Sequence, residues 1–227
     1  MSEELQEDQN HEDPRRTEVP VGIGQKRSGL RVLVVGNDAD TGQRPFANSL
    51  SKALNDEAID AFTSTATIEL IEDPRTLVEE FEKALPATEP NVIGIGYVNG
   101  SLSHPIYGPE VLAALYGAQP DFVVMCFAPF RATLRDTELQ GPTVAAEIAN
   151  VMLHARRFNP NAQMLAIMVD NEGLTEANVD DAKNSVYGIG MQFDAPIFSM
   201  SELGEGTGFK SVVDRLAKIA NKEKTRG

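Results

Sequence analysis

The segment Val34–Phe46, "VVGNDADTGQRPF", has the frame of a phosphate-binding loop without its charges. A hydrophobic run, Arg31–Val35, ends at Gly36; Gly42 follows, and an amphipathic segment begins. Such loops bind phosphate because their glycines let successive backbone N–H groups turn inward at the positive end of a helix. A lysine after the second glycine supplies a point charge, and a following hydroxyl holds magnesium. Here those places read Gln43, Arg44 and Pro45. Five residues separate the glycines, one more than the strict motif allows. Arg44 can replace part of the missing charge, while Asp38 and Asp40 oppose an anion. A plain strand-to-helix turn is the competing reading.

Three further segments offer chemistry. In "YVNGSLSHPIYG" (Tyr97–Gly108), Asn99, Gly100, Ser101, Ser103 and His104 cluster just past an apolar run. Small hydroxyls and an imidazole in one loop can bind an oxyanion or relay a proton; a hydrogen-bonded turn carrying a surface histidine is the alternative. In "CFAPFRATLRDTELQGP", Arg131 and Arg135 follow a strand and are candidates for an anion clamp. Arg135 can equally pair with Asp136 or Glu138 on the surface. In "VDNEG", Asp170 and Asn171 end a strand and could read a base or ribose edge, or bond locally within a turn. His154 and His11 have no visible catalytic partner, and no Ser-His-Asp constellation follows from spacing.

The elements that must position these loops alternate. Buried strands are expected at Leu30–Val35, Ile59–Ser64, Asn91–Val98, Asp121–Pro129, Ala162–Asn171 and Ala195–Met200. Helices are expected at Pro45–Leu54, Asp73–Leu85, Gly108–Gly117, Pro142–Phe158, Thr175–Gly190 and Gly208–Lys222. In the first, Phe46, Leu50, Ala53 and Leu54 share one face, and Pro45 suits a first helical turn. Asp73 and Thr175 are expected N-caps. Strands alternate with helices, and most strands are apolar throughout, which specifies an α/β fold: a doubly wound, mostly parallel sheet with helices on both faces. Ligands in such folds sit beyond the carboxyl ends of the strands. The loops after Val35, Val98, Phe127 and Val169 are therefore the ones above.

Residues 1–29 are polar and charged, which predicts a disordered acidic tail and linker before a single domain over 30–223. The N-terminus has no apolar h-region and the chain has no run of membrane-spanning length, so a cytoplasmic location away from membranes is the expectation. The net charge of −14 repels polyphosphate backbones and argues against nucleic acid. The single cysteine, Cys126, lies in "FVVMCF" and is expected to be buried and inert. No Cys/His cluster has metal-ligand spacing, so no structural metal is expected.

Taken together, the loops resemble a known family. "VVGNDADTGQR" is similar to the opening loop of P-loop proteins related to D-glutamate N-acetyltransferase, in which five residues also separate the glycines. "GSLSHPIYGPEVLAALYGAQPDFVVMCF" resembles that family's "GQGSLSHPAY" stretch, short helix, "PD" and apolar strand. "RFNPNAQMLAIMVDNEGLTEA" resembles its late strand and loop. The resemblance covers roughly residues 30–220 and implies a P-loop NTPase-like fold, with acetyl transfer from acetyl-CoA to an acidic D-amino acid. Gly36, Asp38, Gly42 and Arg44 match the loop, Gly100–Pro105 the second motif, and Arg131 a strand-end arginine. The departures are Gln43 for the loop lysine, Pro45 for the hydroxyl, Tyr97 for an acidic residue and Asn99 for glutamine. Phe127 and Ala128 stand where polar residues are expected, and the family's additional N-terminal domain is expected to be replaced by the short tail.

These departures predict a degenerate P-loop domain that binds a small ligand or partner without hydrolysis. An active acetyl-CoA-dependent acyltransferase and a nucleotide-dependent enzyme with a rebuilt loop are the alternatives; acyl transfer is preferred if the chain is an enzyme. The candidate cofactor-binding residues are Gly36, Asp38, Thr41, Gly42, Gln43 and Arg44. His104 and Ser103 are the catalytic candidates, and Asn99, Ser101, Arg131 and Asn171 the substrate-binding ones. A small anionic ligand, a homo-oligomer or a separately supplied domain are the partners considered, with acetyl-CoA or a nucleotide as the cofactor.

Overall fold

A computed structural model describes residues 29–64, 92–171 and 173–224. The tail and linker expected over residues 1–29, but for its last residue, and the helix expected at Asp73–Leu85 lie outside the described residues. Among the described residues, six strands form one sheet: β1 (Leu30–Gly36), β2 (Ala61–Ser64), β3 (Ile93–Tyr97), β4 (Phe122–Phe127), β5 (Gln163–Val169) and β6 (Ile197–Ser199). Their spatial order is β2-β3-β1-β4-β5-β6, and every pairing is parallel. The helices are α1 (Gln43–Asp56), α2 (Gly108–Ala118), α3 (Val144–Phe158), α4 (Glu176–Phe193) and α5 (Thr207–Lys224).

Side chains alternate across a strand, so each central strand feeds two cores. Val32 and Val34 join Phe46, Leu50 and Leu54 of α1 and Val212 and Leu216 of α5 on one face. Leu33 and Val35 join Leu115 of α2, Ile148 and Val151 of α3, and Val186 of α4 on the other. Phe46, Phe198 and Phe209 meet with ring centroids 6.0–6.1 Å apart, and each such buried ring contributes about 2–3 kcal/mol of hydrophobic stabilisation. The doubly wound expectation therefore holds, with an all-parallel sheet.

Helix ends follow their caps. Thr143 accepts a hydrogen bond from Ala146 N, so α3 begins at Val144, two residues later than the sequence pattern suggests. Thr175 caps α4 through Asn178 N. Gly42 is the N-cap of α1 at φ 91°, a left-handed conformation open to glycine. The β1–α1 crossover lies on one face and the helix after β3 on the other, so the two strands' loops part where the winding reverses. A crevice opens at such a point.

Candidate functional site

The loop between β1 and α1 is held from behind. Asn37 N donates to the Cys126 carbonyl, and the Asn37 side chain accepts from Ala128 N. The Thr41 hydroxyl donates to the Asp38 and Cys126 carbonyls at 3.3 and 3.2 Å. The Asp38 carboxylate is buried and accepts from Ala39 N, Arg135 N and the Arg131 guanidinium. Arg131 also donates to the carbonyls of Ala39 (2.5 Å) and Asp40 (3.0 Å) and lies 3.9 Å from the Asp170 carboxylate. Its guanidinium is thus spent as a brace for the loop. Arg135 pairs with Asp40 at 2.5 Å, not with Asp136 or Glu138: the chain turns back over the phosphate loop here and brings a carboxylate from 95 residues away.

Gln43 turns inward. Its Oε1 accepts from Thr41 N at 2.9 Å, and its Nε2 donates to the Asp38 carbonyl at 3.0 Å. Gly36 makes room for it: a Cβ there would lie 2.2 Å from Gln43 Nε2 and 2.4 Å from the Asp38 carbonyl oxygen. Further along, none of the hydrogen bonds at this end of α1 uses the N–H of Gly42, Gln43 or Arg44 as a donor among the described residues. The first N–H groups of any helix lack intrahelical acceptors, and here three stand in a row. The Arg44 side chain beside them is exposed.

The second loop faces the other way. Ser101 and His104 are buried. His104 Nδ1 accepts from Ile106 N (3.1 Å) and Tyr107 N (3.3 Å), and Nε2–H donates to the Arg135 carbonyl at 2.8 Å. Two donors at Nδ1 and one acceptor at Nε2 define the neutral Nε2–H tautomer. Both nitrogens are committed to shaping the loop. Ser103 donates to Glu147 Oε2 at 2.6 Å. Glu147, fully buried on α3, also accepts from Leu102 N (2.5 Å) and Ser103 N (3.3 Å). Burial pushes its carboxyl above the ordinary range, and the bonds from Ser103 and Leu102 partly oppose that. The Ser101 hydroxyl has no hydrogen bond of standard geometry, although it lies near enough to Glu147 to favour its ionised form.

Sequence reasoning missed Glu147. The signal was its place on the apolar stripe of α3, with Ile148, Val151, Met152 and Ala155. A carboxylate on such a face must find donors within the fold.

The two loops are tied together by Gly36 N to the Gly100 carbonyl (3.0 Å) and Asp40 N to Asn99 Oδ1 (2.7 Å). Asn171 is held by the turn after β6, where its Oδ1 accepts from Ser201 N at 3.1 Å. What remains open is a cleft of about 470 Å³ lined by Asp40, Gly42, Gln43, Arg44, Pro45, Tyr97, Asn99, Asp170 and Met200. Of the candidates named from sequence, Gly42, Gln43, Arg44 and Asn99 line it. Gly36, Asp38, Thr41, Ser101, Ser103, His104, Arg131 and Asn171 are not among its lining residues. Asp170, Tyr97 and Met200 complete its walls. Asp170 and burial together push the Cys126 thiol well above its ordinary value, burial contributing most. Among the described residues no group of three His, Cys, Asp or Glu side chains is placed to hold a metal ion, and no helix is long and apolar enough to cross a membrane.

Comparison with known proteins places this geometry. The family described as "Domain of unknown function (DUF1611_C) P-loop domain" matches residues 74–206. A D-glutamate N-acetyltransferase of a Pseudoalteromonas species is 29% identical over 171 residues, 70% of this chain and 52% of the relative. A second, from Tritonibacter scottomollicae, is 26% identical over 169 residues, 69% of this chain and 51% of the relative. The chain spans about half the length of the curated relatives it matches. Among solved structures, a DUF1611 family protein from Anabaena variabilis superposes with a TM-score of 0.69 at 16% identity, covering 90% of this chain and 62% of that one. A nucleotide-binding protein from Archaeoglobus fulgidus, in complex with ADP, reaches 0.50 at 10% identity over 86% and 88% of the two chains. At these identities the likeness is one of fold.

Proposed function

The chain belongs to the DUF1611 family of P-loop domains, and we propose that its cleft binds a small carboxylate-bearing molecule without nucleotide turnover. The observation that carries this reading is the row of N–H groups at Gly42, Gln43 and Arg44 that no backbone acceptor takes up among the described residues, beside the exposed Arg44, in a cleft that Asp40 and Asp170 also line. A carboxylate can accept from consecutive N–H groups and a guanidinium at once. Asp40, paired with Arg135, and Asp170, 3.9 Å from Arg131, offset the positive charge a polyphosphate chain would need, and their carboxylates can still accept from an ammonium group. A compact zwitterion therefore fits the charges better than a nucleotide does. The loop lysine and hydroxyl that would grip a terminal phosphate and its magnesium are Gln43 and Pro45. An acidic amino acid is the ligand class suggested by the names of the curated relatives.

Isothermal titration with D-glutamate, L-glutamate, acetyl-CoA, ADP and GTP tests the reading. Saturable binding of an acidic amino acid at about 1 mM or tighter, with no magnesium-dependent nucleotide binding, is expected. Tight magnesium-dependent nucleotide binding with turnover contradicts it.

The relatives' names also favour a second reading, acetyl transfer to the amine of such a ligand. That chemistry needs a group to accept the amine proton. His104 has both nitrogens engaged and is not among the cleft's lining residues; of the two carboxylates that line the cleft, Asp40 is held by Arg135 at 2.5 Å, and Asp170, 3.9 Å from Arg131, is the candidate. The second reading predicts acetyl-CoA consumption with D-glutamate that is lost in Asp170→Asn. No consumption across a panel of acidic amino acids contradicts it.

A further inference from the structure

We propose that the Gln43 carboxamide is a built-in stopper of the phosphate loop and sets the selectivity of the cleft against polyphosphates. The proposal deepens the small-ligand reading and rests on the same cleft. A phosphate loop works by presenting inward N–H groups to an anion's oxygens. In this loop the inward N–H of Thr41 already has an oxygen, Gln43 Oε1 at 2.9 Å. The other end of the same amide closes on the Asp38 carbonyl at 3.0 Å. One neutral group satisfies both a donor and an acceptor of the loop, where a phosphate would satisfy only donors.

The space is taken as well as the bonds. Gln43 is 3% exposed. The position a Cβ would occupy at Gly36 lies 2.2 Å from Gln43 Nε2. The strand-end glycine that elsewhere admits a phosphate here admits an amide from the loop's own chain. A polyphosphate entering the loop must expel the carboxamide, break both hydrogen bonds and approach Asp40 without a lysine. A carboxylate at the outer N–H groups of Gly42, Gln43 and Arg44 needs none of this. The stopper therefore divides the loop into a closed inner half and an open outer half.

Calorimetric titration of inorganic pyrophosphate, with and without magnesium, into the wild-type chain, Gln43→Ala and Gln43→Lys tests the division. Circular dichroism confirms that each variant is folded. Gln43→Ala frees the Thr41 N–H and the loop interior, and is expected to bind pyrophosphate about tenfold more tightly than wild type. Gln43→Lys adds a charge, keeps a donor for the Asp38 carbonyl, and is expected to gain about a hundredfold. Wild-type binding as tight as that of Gln43→Lys overturns the proposal, as do folded variants no better than wild type. D-Glutamate titrated in parallel separates the two readings. If it fails to bind wild type while Gln43→Lys gains pyrophosphate, the small-ligand reading falls and the stopper stands.

Discussion

Two loops meet at the carboxyl edge of the sheet, and they have kept opposite things. The β1–α1 loop has Gly36 and Gly42 at a strand end and a helix start, as a phosphate loop does, with Gln43 and Pro45 where such a loop has its lysine and hydroxyl. The β3–α2 loop carries "GSLSHP", yet bonds Ser103 to Glu147 and His104 to the Arg135 carbonyl, and Ser101, Ser103 and His104 are not among the residues that line the cleft. The residues facing the cleft are others, among them Tyr97, Asn99, Arg44 and Asp40. The motif's polar side chains thus shape the turn, while its neighbours line the cleft. Serines and a histidine are as useful for fixing a tight turn as for catalysis, because each offers donors and acceptors to the backbone.

The contrast can be broken experimentally, most strongly at Arg131. Its removal leaves the buried Asp38 carboxylate and two loop carbonyls without their cation. Arg131→Ala is expected to destabilise the fold by about 3 kcal/mol in urea unfolding. A loss near zero would mean that the guanidinium is free for a ligand and braces nothing.

Glu147 probes the second loop. Glu147→Ala leaves the N–H groups of Leu102 and Ser103 unsatisfied and is expected to cost about 2 kcal/mol. The near-isosteric Glu147→Gln should cost less and change the pH response. Because burial raises the carboxyl's pKa in the fold, the native state holds this proton where the unfolded chain has lost it. Its contribution is full below the ordinary glutamate range and is lost as pH rises through the raised value. Wild type should therefore lose stability relative to Glu147→Gln across that interval, measured by unfolding at a series of pH values. A parallel pH profile for the two proteins would contradict the assignment.

Asn99 joins the loops through Asp40 N, and Asn99→Ala should cost about 1 kcal/mol. Arg44 sits at the end of the series. Arg44→Ala should change stability by less than about 0.5 kcal/mol and weaken carboxylate binding about tenfold, as read by calorimetry. An effect on folding comparable to Arg131→Ala would erase the distinction between brace and ligand group.

The fold was legible because most of its strands are largely apolar runs and its helices carry one-sided stripes; α3 starts two residues late because Thr143 takes the cap. The position of the cleft was legible too, since parallel sheets place their loops at one edge. The direction of each side chain within those loops was not. Arg131 could be read as an anion clamp because nothing local reveals that Asp38, 93 residues earlier, claims it. His104 could be read as a base because the Arg135 carbonyl that binds it comes from another loop. Such commitments are made by the tertiary fold. Glu147 is the exception, since a charge on an apolar stripe announces a buried partner.

The central claim is that the phosphate loop is closed at Thr41 and open at Gly42–Arg44. Amide chemical shifts of the 15N-labelled wild-type chain test it most directly, with D-glutamate and magnesium–ADP added in turn. The account predicts saturable shifts at Gly42, Gln43 and Arg44 with the amino acid, no change at Thr41, and no saturable response to the nucleotide. A saturating shift of the Thr41 amide on addition of ADP would contradict it.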